Sequence, residues 1–268
     1  LISQTKVINI SPYKCIKMTI LYYLLKKKSM IENYWSFALS FLLGRKSILW
    51  LKGKNRKVGF DWENSSSVIQ EIFFEKIYKF RNYEMKKDDI IIDIGANTGI
   101  FSLYASQFTD NKIYAFEPVK ENYNLLKKHI IINETRNIVP LNYGVAEKSG
   151  LTKMFLSDDA GNHSIYFDDE SGRSEIIKLI TLPVFVNKAN ITKIDLLKMD
   201  CEGAEGDILK SLTDKEYRLI NRIVLEFHDN LSSLNRHEIE EMLVLKGFKV
   251  EMIEKPNYPL GIIFAVKN

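Results

Sequence analysis

The chain has 268 residues, 46% hydrophobic and 27% charged, with only 13 Gly and 6 Pro, a balance that excludes a disordered, fibrous or polytopic membrane protein. A chain of this length buries a large core without disulfides, and its two cysteines, Cys15 and Cys201, make no CxxC pattern, which points to a reducing, cytoplasmic setting. The net charge of +4 is uneven: residues 1–60 carry twelve Lys/Arg against one acid, Glu32, and the rest is mildly acidic.

The apolar stretches of the basic segment, Met18–Leu25 and Tyr34–Leu43, are interrupted by Thr and Ser and separated by lysines. Neither reaches the ~20 residues needed to cross a bilayer. They read as short helices, and the charge makes peripheral contact of residues 1–60 with an anionic membrane surface a second expectation. Ile48–Lys52 and Lys57–Trp62 read as a hairpin around Gly53 and Asn55. Residues 1–64 are therefore expected to form an extension, and residues 65–268 the main domain.

After a helix at Val68–Tyr78, short apolar runs alternate with helical patterns. Strands are expected at Ile90–Ile94, Lys112–Glu117, Ile138–Tyr143, Ile194–Met199 and Arg222–Phe227. Helices are expected at Phe101–Phe108, Lys120–Ile132, Ala204–Leu212 and His237–Leu245. Residues 151–182 read as two or three short strands with loop signals at Asp158–Gly161 and Asp168–Gly172. Phe248–Ile253 and Gly261–Val266 close the chain without a helix between them, so the last strand is expected to be antiparallel. The fold class is α/β: a doubly wound, Rossmann-like, mostly parallel sheet of seven strands.

Asp93-Ile94-Gly95-Ala96-Asn97-Thr98-Gly99 follows the first strand of this domain, where ligands of open α/β sheets bind. Gly95 and Gly99 allow a tight turn there. Glu117, 22 positions after Gly95, ends the second strand in Phe116-Glu117-Pro118. An acid about 20 residues past a glycine loop suits the hydroxyls of an adenosine ribose. The loop lacks G-x-G-x-x-G, since Asn97 holds the second glycine's place, and so suits a pyrophosphate poorly. S-adenosylmethionine, which has no phosphate, fits better. Asp93, Gly95, Asn97, Gly99, Glu117, Pro118, Tyr143, Gly144 and Asp200 form the expected cofactor set.

The fourth and fifth major strands end in Asp200-Cys201-Glu202 and Glu226-Phe227-His228. Residues two apart share a face of an extended chain, so Asp200 with Glu202, and Glu226 with His228, should project together. If the strands are neighbours, four titratable groups converge beside the glycine loop. His228 is the first candidate for a general base and Glu202 the second. These residues also offer metal-ligand types, but with no ligand-spacing signature no metal is expected. His163 reads as a turn residue and Cys201 as a small buried one.

The motifs D-x-G-A-N-x-G at Asp93–Gly99, F-E-P at Phe116–Pro118, K-x-D-x-E-G-A-E at Lys198–Glu205 and L-E-x-H at Leu225–His228 resemble the FkbM family of S-adenosylmethionine-dependent methyltransferases. The resemblance covers roughly residues 66–266. It implies a class I methyltransferase fold acting on a hydroxyl of a sugar, glycan or secondary metabolite. No nucleic acid partner is expected, because the sequence lacks the aromatic-basic interleaving of a single-strand platform. One departure stands out: where the family has a Leu-Asp pair before the fourth strand, this chain reads Thr181-Leu182-Pro183-Val184. The alternatives are an NAD-dependent oxidoreductase, for whose substrate domain the chain has no room, and a non-catalytic binding protein of the same fold.

Overall fold

A computed structural model describes residues 26–43, 45–54, 56–61, 65–78, 84–156, 173–254 and 258–268. Met18–Leu25, Cys15, His163 and the loop signals at Asp158–Gly161 and Asp168–Gly172 lie outside the described residues. The chain divides into two compact units, Leu1–Ser66 and Ser67–Asn268.

In the first unit, helix α1 (Tyr34–Leu42) precedes a hairpin of β1 (Ile48–Lys52) and β2 (Lys57–Asp61). Leu49, Leu51, Val58 and Phe60 make its buried face. The Asn33 side chain ties the start of α1 to β1, donating to the Ile48 carbonyl and accepting from the Trp50 N–H.

The second unit is built on seven strands: β3 (Ile91–Ile94), β4 (Ile113–Phe116), β5 (Ile138–Leu141), β9 (Leu196–Met199), β10 (Arg222–His228), β11 (Phe248–Glu254) and β12 (Leu260–Lys267). Their order is β11-β12-β10-β9-β3-β4-β5. The five central and following strands pair in parallel, and β12 runs antiparallel between β10 and β11. This is the class I methyltransferase arrangement. Every residue of β3 and β9 is buried, as continuous apolar runs covered on both faces require.

Strands β6 (Gly144–Val145), β7 (Gly150–Phe155) and β8 (Ser174–Ile180) pair separately, in the order β6-β8-β7. The crossover helices are α3 (Ile100–Ala105), α4 (Lys120–Ile132), α6 (Glu205–Ser211) and α8 (Arg236–Leu245). Two further helices, α5 (Leu182–Lys188) and α7 (Asp214–Leu219), are absent from the expectations. Thr181 caps α5 by accepting from the Val184 N–H, with Pro183 in its first turn. The departing Thr181–Val184 segment is thus a helix start, and Leu182 is buried in the core. The expected helix at Val68–Tyr78 is α2 (Ser66–Ile69) followed by a π-helical stretch, Gln70–Glu75, closed by Lys76 in the left-handed region.

Candidate active site

The ends of β3, β4, β9 and β10 meet at one cavity of about 370 Å³ in the second unit. The β3 loop is shaped by three residues of positive φ, Gly95, Asn97 and Gly99. The N–H groups of Gly95 and Ala96 both donate to the Phe116 carbonyl, which welds the loop to β4. A Cβ on Gly95 would lie 1.7 Å from the Asp200 carbonyl oxygen, and one on Gly99 would lie 2.2 Å from Leu126 of α4. Both glycines therefore serve close internal packing of the loop against its neighbours. The His129 ring, held at 2.7 Å from the Thr98 carbonyl, secures the loop from behind.

Glu117 is buried at the end of β4. Its Oε2 accepts from the Asn97 N–H and its Oε1 from the Val119 N–H, each at 2.8 Å. Burial pushes its pKa up to about 7, against the pull of those two N–H groups and of Lys198. Each oxygen retains acceptor capacity for hydroxyl donors in the cavity.

Gly95, Asn97, Glu117, Pro118, Tyr143 and Gly144 all line the cavity, as do Asp200, Glu202, Glu226 and His228. Asp93 and Gly99 do not. Asp93 is fully buried beneath the loop, where it accepts from Ser102 Oγ at 2.7 Å and pairs with Lys198 Nζ at 3.2 Å. The carboxylate expected to meet the cofactor is thus enclosed by its own ion pair and does not line the cavity.

Three residues missing from the sequence-derived site complete it. Lys198, inward on β9, donates to the Gly95 carbonyl at 2.9 Å and lies 3.7 Å from Asp200. Burial lowers its pKa, but Asp93 and Asp200 outweigh that and the net shift is upward. Its signal was a charge within a buried strand. The Tyr78 hydroxyl donates to Asp200 at 2.8 Å and lies 3.3 Å from Glu226, and no spacing in the sequence reveals it. Burial and these two carboxylates hold the phenol well above its ordinary pKa. Glu205 is fully buried, its two oxygens accepting from the N–H groups of Cys201 and Gly203.

His228 sits between two acids. Its Nε2 is 3.4 Å from Glu202 and its Nδ1 is 3.7 Å from Glu205. Burial opposes its charge, but Glu205, Glu202 and Asp200 prevail and raise its pKa to about 9. Burial, then Asp200, pushes Glu202 up as well, while His228 draws it back. Asp200, Glu202 and His228 present donor atoms within 4.8 Å of one another, a spacing that admits a divalent ion. Lys198 and the imidazolium already supply positive charge to the same set.

The sequence profile described as the Methyltransferase FkbM domain matches residues 93–250. The chain is 27% identical over 212 residues to Methyltransferase 1 of Beauveria bassiana, covering 71% of this chain and 83% of that one. It is 24% identical over 220 residues to 31-O-demethyl-FK506 methyltransferase FkbM of Streptomyces tacrolimicus, covering 70% and 84%. It is 29% identical over 148 residues to hexuronic acid methyltransferase AglP of Haloferax volcanii, covering 54% and 58%. The oxidoreductase and non-catalytic alternatives give way to these matches, and the chain belongs to the FkbM family of S-adenosylmethionine-dependent methyltransferases.

Proposed function

We propose that this enzyme methylates a hydroxyl oxygen of a sugar, glycan or secondary metabolite, with the ribose of S-adenosylmethionine on Glu117 and the acceptor hydroxyl beside His228. The observation that carries this reading is that Glu117 and His228 line one continuous cavity from opposite sides of the β3 loop. The residues fit the cofactor: a buried carboxylate with spare acceptor capacity on both oxygens matches a pair of ribose hydroxyls. Pro118, Tyr143 and Gly144 give the same side an apolar wall suited to a purine.

When bound, S-adenosylmethionine supplies an electrophilic methyl group on a sulfonium. The chain's share is to hold the acceptor in line and to remove its proton. Positioning of this kind supplies much of the rate in displacements. Asp200, steered by Tyr78 and Lys198, favours the cationic end of the cofactor, and Glu226 shares that face. His228 Nε2, with Glu202 beside it, accepts the hydroxyl proton. Oxygen acceptors are supported by two relatives, one named for a 31-O position and one for hexuronic acid, a hydroxyl-bearing sugar acid. The test is a panel of sugars and small alcohols with the cofactor, read by mass spectrometry of the products. Methyl ethers support the reading; products methylated only on nitrogen, carbon or nucleic acid overturn it.

A second reading concerns the first unit and rests on a separate observation. No helix among the described residues is long and apolar enough to cross a membrane. Yet α1 and its end expose Trp35 and Leu42, each 73% exposed, with Leu39 and Leu43. Those positions recur at helical spacing. Lys28 lies 4.4 Å over the Trp35 ring, and residues 1–60 carry the +11 excess. This combination suits shallow seating in an anionic membrane surface. Sedimentation with anionic vesicles should occur at low salt, fade as salt rises, and weaken in Trp35→Ser/Leu42→Ser. Equal sedimentation with neutral vesicles, or none at low salt, contradicts it.

A further inference from the structure

We propose that Glu205 is a positioning residue: held by the backbone of its own loop, it keeps the His228 proton on Nδ1 and leaves Nε2 as the atom that receives the acceptor's proton. This rests on the reading of His228 as the base. Glu205 is fully buried, and the Cys201 and Gly203 N–H groups, at 2.9 and 3.0 Å, fix both of its oxygens. A carboxylate so held cannot swing away from the ring. His228 Nδ1 is itself buried and makes no hydrogen bond, and its charged neighbour is Glu205 Oε1 at 3.7 Å.

Nε2 faces Glu202, nearer at 3.4 Å, but Glu202 is partly exposed on the cavity wall, whereas Glu205 is fully buried and fixed by two N–H groups, and that difference distinguishes the two nitrogens. A neutral imidazole carries one N–H, and the nitrogen facing a fixed buried carboxylate is the one that keeps it. In the step itself the acceptor O–H proton moves to Nε2 and its electron pair stays on oxygen for bond formation. The resulting imidazolium lies between Glu205 and Glu202, which stabilise its charge. Asp200, tied to Lys198 and Tyr78, also brings a carboxylate oxygen within 4.8 Å of a ring nitrogen. Glu226 precedes His228 on the same face of β10 and meets the Tyr78 hydroxyl. Opposite His228 on β12 stands Leu260, which is uncharged.

The decisive measurement is side-chain 15N NMR of the histidines in the ligand-free protein, with His228 assigned by His228→Gln. The neutral ring should carry its proton on Nδ1. Glu205→Gln should lower the His228 pKa by about 1–2 pH units, since it removes an opposite charge within ion-pair range. The rising limb of the pH–rate profile should move down with it, and kcat should fall more than KM rises. Glu205→Asp, which keeps the charge, should leave the limb near its wild-type position. A neutral ring protonated on Nε2, or an unchanged His228 pKa in Glu205→Gln, overturns the proposal. If Glu205→Gln does not fold, the wild-type tautomer decides alone. The NMR result is independent of methyl transfer, so an enzyme methylating through some other base would still reveal whether Glu205 sets the tautomer.

Discussion

The Asn97 N–H donates to Glu117 Oε2 at 2.8 Å, which joins the β3 loop to the end of β4 through the side chain proposed to receive the cofactor. Loop and acid are therefore one rigid unit, and the charge on Glu117 is set by its burial. With its pKa raised to about 7, the carboxyl is protonated in the ligand-free protein below that pH and ionised above it. A carboxylate binds hydroxyl donors more strongly than a neutral acid. Affinity for S-adenosylmethionine should therefore rise with pH up to about 7 and then level off, measured by calorimetry across that range. Affinity that falls with rising pH through neutrality would contradict this assignment.

Lys198 is the hinge of the charge balance, buried against Asp93 and Asp200. Truncation leaves a fully buried carboxylate uncompensated, and breaking a buried pair this way costs about 3–5 kcal/mol. Lys198→Ala should lose about that much stability in urea unfolding, beyond what the cavity alone explains. Unchanged stability would show that the pair is not closed in solution.

Turnover should track His228. Since its pKa is raised, the ring is mostly imidazolium at neutral pH and becomes a base only as pH climbs through about 9. The rate should therefore rise with pH until about 9 and then flatten. His228→Ala should keep cofactor affinity, lose turnover by about 10²-fold or more, and lose the pH limb. If instead the loss falls mainly on the acceptor's KM, His228 orients the acceptor and Glu202 takes the proton.

The donor cluster of Asp200, Glu202 and His228 already has cationic company in Lys198 and, below about pH 9, in its own ring. Activity should therefore be indifferent to EDTA. Loss on chelation that added Mg²⁺ or Mn²⁺ restores would assign the cluster to a metal.

Much of this was legible in the residues. The sheet could be read because β3 and β9 are buried on both faces, so their apolar runs are unbroken apart from the charges that make the site. Glu117 was legible because the distance from glycine loop to second strand end is set by one crossover helix. What was not legible depends on contacts far apart in sequence. Tyr78 reaches Asp200 across 122 positions, from the turn that follows the π-helical stretch Gln70–Glu75. Gly95 lines the cavity, and only the fold shows that its missing Cβ also admits the Asp200 carbonyl. Asp93 was expected in the cofactor set as a polar group at the glycine loop, and only the fold shows Lys198 and Ser102 closing over it. Helices α5 and α7 have seven and six residues, too short for an apolar stripe to stand out.

The central claim is that S-adenosylmethionine binds in the cavity at Glu117, and calorimetry with the cofactor, its demethylated product and NAD tests it most directly. The wild-type protein should bind the first two and not NAD. Glu117→Ala removes hydrogen bonds to a charged group, worth about 1.5–3 kcal/mol, so its affinity should fall roughly tenfold to a hundredfold. Wild-type affinity in Glu117→Ala would contradict the account of the site, and binding of NAD without S-adenosylmethionine would contradict the account of the enzyme.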